Sequence, residues 1–197
     1  HTDAAQTVGK LPIDVRRLGV DLLTIAGHKM YAPKGIGALY VRAGIGLDRV
    51  LFGAGHEGGL RPGTENVPSI VALGKAAQLI IRNGAENADR MQQLRDHLWD
   101  RLRAGVGPAL RMWGAGAPRL PNTLSVSFPD VAARDLLQRA PELCAATGSA
   151  CHSGVTTMSA TLAALGATPA EAAGTLRLSV GWSTTEDDIE RAASVLL

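Results

Sequence analysis

The 197-residue chain is 46% hydrophobic and 19% charged, with a formal net charge of +2. That balance excludes a disordered polymer and leaves apolar material for one good core or two small ones. The charge is mild and the arginines are spread, so nothing points to nucleic acid; no apolar run approaches a membrane span, and no charged start precedes an apolar stretch as in a secretory signal.

In chain order, His1-Thr2-Asp3 reads as the end of a strand, and Val20 to Ile25 and Ile36 to Val41 read as strands. Arg49 to Phe52 is a fourth, shorter candidate. All are short β-rich runs bounded by turn residues. Glycines and prolines crowd residues 53–68, and Ser69 to Arg103 is then nearly free of breakers. Its breakers are Gly74 and Gly84, and it fits a long helix in one piece or in two.

Beyond the turn-rich segment 105–121, Thr123 to Phe128 alternates polar and apolar residues as a half-buried strand does. Helical spacing is expected over Val131 to Arg139 and Ser159 to Leu165, and strands over Glu142 to Ala146 and Leu176 to Val180. A last helix is announced by Ser183-Thr184-Thr185 and the acids Glu186-Asp187-Asp188, a hydroxyl cap followed by charges suited to the positive end of a helix dipole.

Six motifs in order carry a resemblance: HTDAAQ from His1, GHK at Gly27 to Lys29, RPGTEN from Arg61, LPNT from Leu120, GSACHS from Gly148 and LRLSVG from Leu176. Together they resemble the class V aminotransferase family of pyridoxal-phosphate enzymes, and within it the cysteine desulfurases and selenocysteine lyases. The resemblance implies an α/β chain of the fold type I class of pyridoxal-phosphate-dependent transferases. Residues 1–68 would be a remnant of the large-domain sheet, 69–104 a connecting helix, and 105–197 a complete small α+β domain carrying a cysteine loop. It also implies that residues precede His1, because the family's phosphate-binding loop and the histidine that stacks on the cofactor ring belong to the preceding part of the large domain.

The same resemblance implies the site. Lys29, where a strand gives way to a glycine-bearing loop, would bind pyridoxal 5'-phosphate covalently, and Asp3 would face the ring nitrogen. Gln6 would donate to the ring oxygen. Gly27 and His28 would contribute to cofactor binding, His28 at the phosphate, and Thr64 would reach the phosphate held by the partner subunit of a homodimer. Arg177 would clamp the substrate carboxylate, a task suited to a planar guanidinium. One departure stands at Ala26, where the desulfurases usually have a serine whose hydroxyl binds the phosphate; alanine leaves only main chain there.

Of the two cysteines, Cys144 has apolar neighbours and reads as buried and structural, whereas Cys151 lies among small polar residues between glycines and reads as an accessible loop thiol. Such a thiolate attacks sulfur well. Cys151 is therefore the expected nucleophile, with adjacent His152 a candidate for lowering its pKa. The expected activity is conversion of L-cysteine to L-alanine with a persulfide on Cys151. A sulfur-acceptor protein, an iron–sulfur scaffold or a thiolation protein, would then receive the sulfur. Release of selenium from L-selenocysteine is the alternative within enzymes, and a non-catalytic dimerisation or sulfur-carrier module the alternative outside them. No metal site is expected, no membrane partner, and a cytoplasmic location.

Overall fold

A computed structural model describes the backbone of residues 1–152 and 155–197 and the side chains of residues 1–148 and 158–197. The chain forms two compact units, His1–Glu86 and Asn87–Leu197, and the division falls within one helix.

In the first unit β1 (Thr2–Asp3) is followed by α1 (Val15–Leu18), β2 (Leu22–Ala26), a 3₁₀ turn (Gly27–Met30) and β3 (Gly37–Val41). The sheet order is β1-β2-β3, with β1 parallel to β2 and β2 antiparallel to β3. α1 begins because Asp14 accepts from the amides of Arg16 and Arg17, and it ends at Gly19 in the left-handed region. A second 3₁₀ turn (Glu57–Gly59) precedes α2 (Val67–Val106). At the start of α2 Asn66 Oδ1 accepts from Ser69 N at 3.3 Å, while Pro68 occupies the first turn, where a missing N–H removes no helix bond.

α2 is one 40-residue helix, not two pieces. An interior glycine costs only about 1 kcal/mol, and packing on both sides of Gly84 outweighs that. Ala76 is buried with Met30 and Ala32, with Ile25, Leu73 and Ile80 packed beside them. Met91, Leu94, Leu98 and Leu102 recur at helical spacing and are buried in the core of the second unit.

The second unit continues with β4 (Arg111–Met112), β5 (Thr123–Ser127), α3 (Ala133–Arg139), β6 (Ala146–Thr147), β7 (Ser149–His152), β8 (Val155–Met158), α4 (Ala160–Ala164), α5 (Pro169–Ala173), β9 (Thr175–Ser179) and α6 (Glu186–Leu196). Its main sheet is antiparallel in the order β4-β5-β9-β6. Leu124 and Val126 of β5 and Leu176 and Leu178 of β9 point to one face, where α2 and α6 cover them. α6 buries Ile189, Ala193 and Leu196. Its start is a reciprocal box: Asp188 N donates to Thr185 Oγ1 at 3.1 Å and Thr185 N to Asp188 Oδ2 at 2.9 Å.

Several expectations are corrected. Residues 49–52 form no strand; Val50 and Phe52 are 86% and 81% exposed, and no described strand lies beside them to supply ladder partners. Glu142 to Ala146 is irregular apart from Ala146, where pairing with Arg177 begins. Cys144 is exposed, because its neighbour Leu143 takes the core-facing position. The segment read as a cysteine loop has the backbone of a hairpin, β7 against β8, with Cys151 opposite Thr156. The side chains of Cys151 and His152 lie outside the described residues, as do Ser153 and Gly154 entirely.

Candidate active site

β1 and β2 run parallel with Asp3 opposite Thr24, so Asp3 and the turn after Ala26 lie at the carboxyl ends of neighbouring parallel strands. In open α/β sheets that edge is where ligands bind, because the loops leaving the strands converge there. Asp3 closes β1 with an Asx turn, its Oδ1 accepting from Ala5 N at 2.8 Å. Ala4 is buried beneath it, and the chain turns through Thr7 N and Val8 N, both bonded to the Ala4 carbonyl. Gln6 is exposed on this turn.

The Gly27–Met30 turn alternates in a telling way: Gly27 and Met30 are buried and His28 and Lys29 are exposed. Met30 anchors the turn in the apolar cluster with Ala32 and Ala76, and the helical geometry between the two anchors turns the imidazole and the amine outward. Tyr31 closes the turn in the left-handed region at φ 67°, its amide and that of Ala32 both returning to the Gly27 carbonyl. A non-glycine residue held there carries local strain of about 1–2 kcal/mol.

Glycine at 27 is required by close approach. A Cβ there would lie 2.7 Å from the Ile36 carbonyl oxygen, and the Gly27 amide itself donates to that oxygen at 2.9 Å. The Gly27 N–H is thus committed to the sheet. Ala26 caps the turn without any side-chain hydrogen bond, so neither the side chain of residue 26 nor the amide of residue 27 supplies a donor for an anion.

Lys10 was not singled out by its sequence. Its Nζ donates to the Gln6 carbonyl at 2.9 Å, and it is half-buried. Burial first, and then the positive charge of Lys29, hold its ammonium below the ordinary lysine value. The one sequence signal was the four-residue spacing from Gln6, which within a helical turn brings the long side chain back over that carbonyl.

Thr64 is exposed in the segment between the second 3₁₀ turn and α2. The first unit therefore contains Asp3, Gln6, Gly27, His28, Lys29 and Thr64, with Asp3, Gln6, His28 and Lys29 gathered at the carboxyl edge of β1 and β2. Arg177 and Cys151 belong to the second unit. Arg177 is exposed on β9, on the face opposite Leu176 and Leu178, between Ser125 of β5 and Ala146 of β6. Those small flanking residues leave the guanidinium uncovered.

As a donor set the carboxyl edge offers an exposed amine, an imidazole and a side-chain amide, none of which makes a hydrogen bond among the described residues, together with the second oxygen of Asp3. An amine for an aldehyde carbon, a carboxylate for a ring N–H and an amide for a ring oxygen are what pyridoxal phosphate requires of a protein, and these residues fit it. Among the described residues no group of three or more His, Cys, Asp or Glu is placed to hold a metal ion, and no helix is long and apolar enough to cross a membrane.

Comparison with known proteins identifies a family for the chain. The model of the aminotransferase class V family matches residues 1–192. The chain is 46% identical over 199 aligned residues to a selenocysteine lyase of Bos taurus, covering 96% of this chain and 45% of that protein. It is 39% identical to the cysteine desulfurase IscS 1 of Archaeoglobus fulgidus, over 100% of this chain and 51% of that one. The crystal structure of a NifS-like protein from Rickettsia africae superposes with a TM-score of 0.87 at 29% identity, over 98% of this chain and 51% of its own. The chain spans about half the length of the relatives it matches.

Proposed function

This chain belongs to the class V aminotransferase family and has its fold, and from that premise we propose that the whole protein is a pyridoxal-phosphate-dependent cysteine desulfurase. The observation that carries the reading is the placement of Lys29 and Asp3 at the carboxyl ends of adjacent parallel strands, with Met30 buried so that the amine faces outward. Pyridoxal phosphate, when bound, supplies an electron sink for the negative charge that develops at the α-carbon of an amino acid. Lys29 would hold the cofactor through its Nζ, and the same amine would move the α-proton of the substrate. Asp3 would keep the ring nitrogen protonated, Gln6 would donate its amide to the ring oxygen, and His28 with Thr64 of a second subunit would bind the phosphate.

In the second unit Arg177 takes the carboxylate of L-cysteine in two parallel hydrogen bonds. The Cys151 thiolate attacks the substrate sulfur: a sulfur–sulfur bond forms as the carbon–sulfur bond breaks, and L-alanine leaves after protonation of its β-carbon. The persulfide is passed to an acceptor, an iron–sulfur scaffold or a thiolation protein. Selenocysteine lyase is the second reading, favoured by the high identity to a protein of that name and by Ala26, which stands where the desulfurases usually have serine. Borohydride reduction of the loaded full-length protein followed by peptide mapping tests the core of the proposal. The cofactor is expected on Lys29, and its fixation on any other lysine overturns the assignment.

A further inference from the structure

With no hydroxyl at Ala26 and the Gly27 amide bonded to Ile36, the phosphate donors assigned to this chain are His28 and Thr64, so what holds Thr64 in place matters. Thr64 follows Gly63, whose φ of 107° lies in the region that glycine tolerates. Gly63 is fastened on both of its polar main-chain atoms by side chains. Its N–H donates to His56 Nδ1 at 3.2 Å, and its carbonyl accepts from Arg61 Nη1 at 3.3 Å.

His56 is itself set by the main chain, its amide donating to the Ala54 carbonyl at 3.0 Å and its carbonyl accepting from Gly59 at 2.9 Å. It is half-buried, while Ala54, Gly55, Glu57 and Gly58 around it are exposed. Accepting at Nδ1 requires the neutral ring with its proton on Nε2. A glycine-rich exposed segment has much conformational freedom to lose, and a single well-placed acceptor removes a large part of it in advance of binding.

We propose that His56 is a positioning residue for cofactor-phosphate recognition: by accepting the Gly63 N–H on Nδ1 it holds Thr64 where its hydroxyl donates to the phosphate. This rests on the reading of Thr64 given above. His56 touches neither cofactor nor substrate and acts through Gly63, so its contribution is specific to the phosphate and vanishes when the Thr64 hydroxyl is absent.

The test uses the full-length protein as His56→Leu, His56→Asn, Thr64→Ala and the double variant His56→Leu/Thr64→Ala. Dissociation constants are measured by fluorescence titration for pyridoxal 5'-phosphate and for pyridoxal, which lacks the phosphate. His56→Leu is expected to weaken binding of the phosphorylated form about tenfold, the scale of one hydrogen bond to a charged group, with pyridoxal binding unchanged. His56→Asn, whose Oδ1 replaces Nδ1 as acceptor, is expected to restore most of the affinity, and the double variant to bind no more weakly than Thr64→Ala.

If His56→Leu binds normally while Thr64→Ala does not, the role of His56 is overturned and the Thr64 reading stands. If Thr64→Ala binds normally, both fall. Equal losses for the phosphate and pyridoxal, or no rescue by His56→Asn, overturn the positioning role as well.

Discussion

Lys10 Nζ donates to the main-chain carbonyl of Gln6 at 2.9 Å, tying a half-buried cation to the turn that presents the Gln6 amide. The charge of Lys29 bears on the same ammonium and, after burial, is what lowers its pKa. The edge that presents the exposed amine of Lys29 therefore also holds a second, partly desolvated amine.

A lysine whose pKa is lower folded than unfolded gives up its proton earlier in the native state. Between the two values the unfolded chain binds more protons, so stability rises with pH across that window, and below it the cost of the buried charge is fully present. Lys10→Met is expected to flatten this rise, and Lys29→Met to return Lys10 part of the way towards its ordinary value. Denaturant unfolding from neutral to alkaline pH, with NMR titration of methyl-labelled lysines, checks both; an unchanged Lys10 titration in Lys29→Met would refute the coupling.

Gly27→Ala places a methyl 2.7 Å from the Ile36 carbonyl oxygen and 2.9 Å from Ile36 Cγ2, and a main-chain atom within the sheet has little room to retreat. The expected loss is about 1–3 kcal/mol, typical of overpacking. Gly74→Ala in α2 meets nothing within 4 Å and should instead stabilise by about 0.5–1 kcal/mol. Chemical unfolding of the two variants side by side decides the point through the opposite signs.

Thr185→Ala removes the hydroxyl side of the α6 capping box, the bonds of Thr185 Oγ1 with Asp188 N and Oδ2, keeps the bond from the main-chain amide, and should cost about 1 kcal/mol at neutral pH. Hydrogen bonds from the Thr185 amide and then its hydroxyl hold the Asp188 carboxyl below the ordinary aspartate value. The resulting stabilisation is complete above the unfolded pKa and is lost as pH falls through the folded one. Alanine keeps the amide bond and loses the hydroxyl's share, so the acid limb of the stability curve should be partly shallower in Thr185→Ala, and an unaltered limb would contradict the hydroxyl's part in acid lability.

Cys151→Ala separates the two chalcogens. A carbon–sulfur bond needs a thiolate to accept the sulfur, whereas selenium departs more readily because a selenol is more acidic than a thiol and its bond to carbon is weaker. In the full-length protein the variant should nearly abolish alanine formation from cysteine and keep a measurable share of that from selenocysteine, with cofactor binding unchanged. Equal loss on both substrates would exclude this division of labour.

Local chemistry made much of the chain legible. β2 and β3 follow from short β-branched and apolar runs between turn residues, β5 and β9 from strict alternation, and α6 from a hydroxyl cap, three acids and apolar residues at helical spacing. Each is a property of a few adjacent residues, and the ordered motifs around Asp3, Lys29 and Thr64 identified the family on the same terms. α5 was also within reach, since Thr168-Pro169 followed by Glu171 is a capping box with proline in the first turn.

Other features depend on partners distant along the chain. Arg49 to Phe52 has strand composition but no described strand beside it, and the exposure of Cys144 follows from Leu143 turning to a core built from β5, β9, α2 and α6. The outward aim of Lys29 comes from Met30 being buried against Ala76 of α2, 46 residues away. The lowered pKa of Lys10 comes from burial and from a charge 19 positions on, and the hold of His56 on Gly63 from a loop folding back across seven. Propensity and pattern report which conformation a segment favours alone. Desolvation, charge coupling and side-chain aim depend on what surrounds a group in space, and only the tertiary fold decides that.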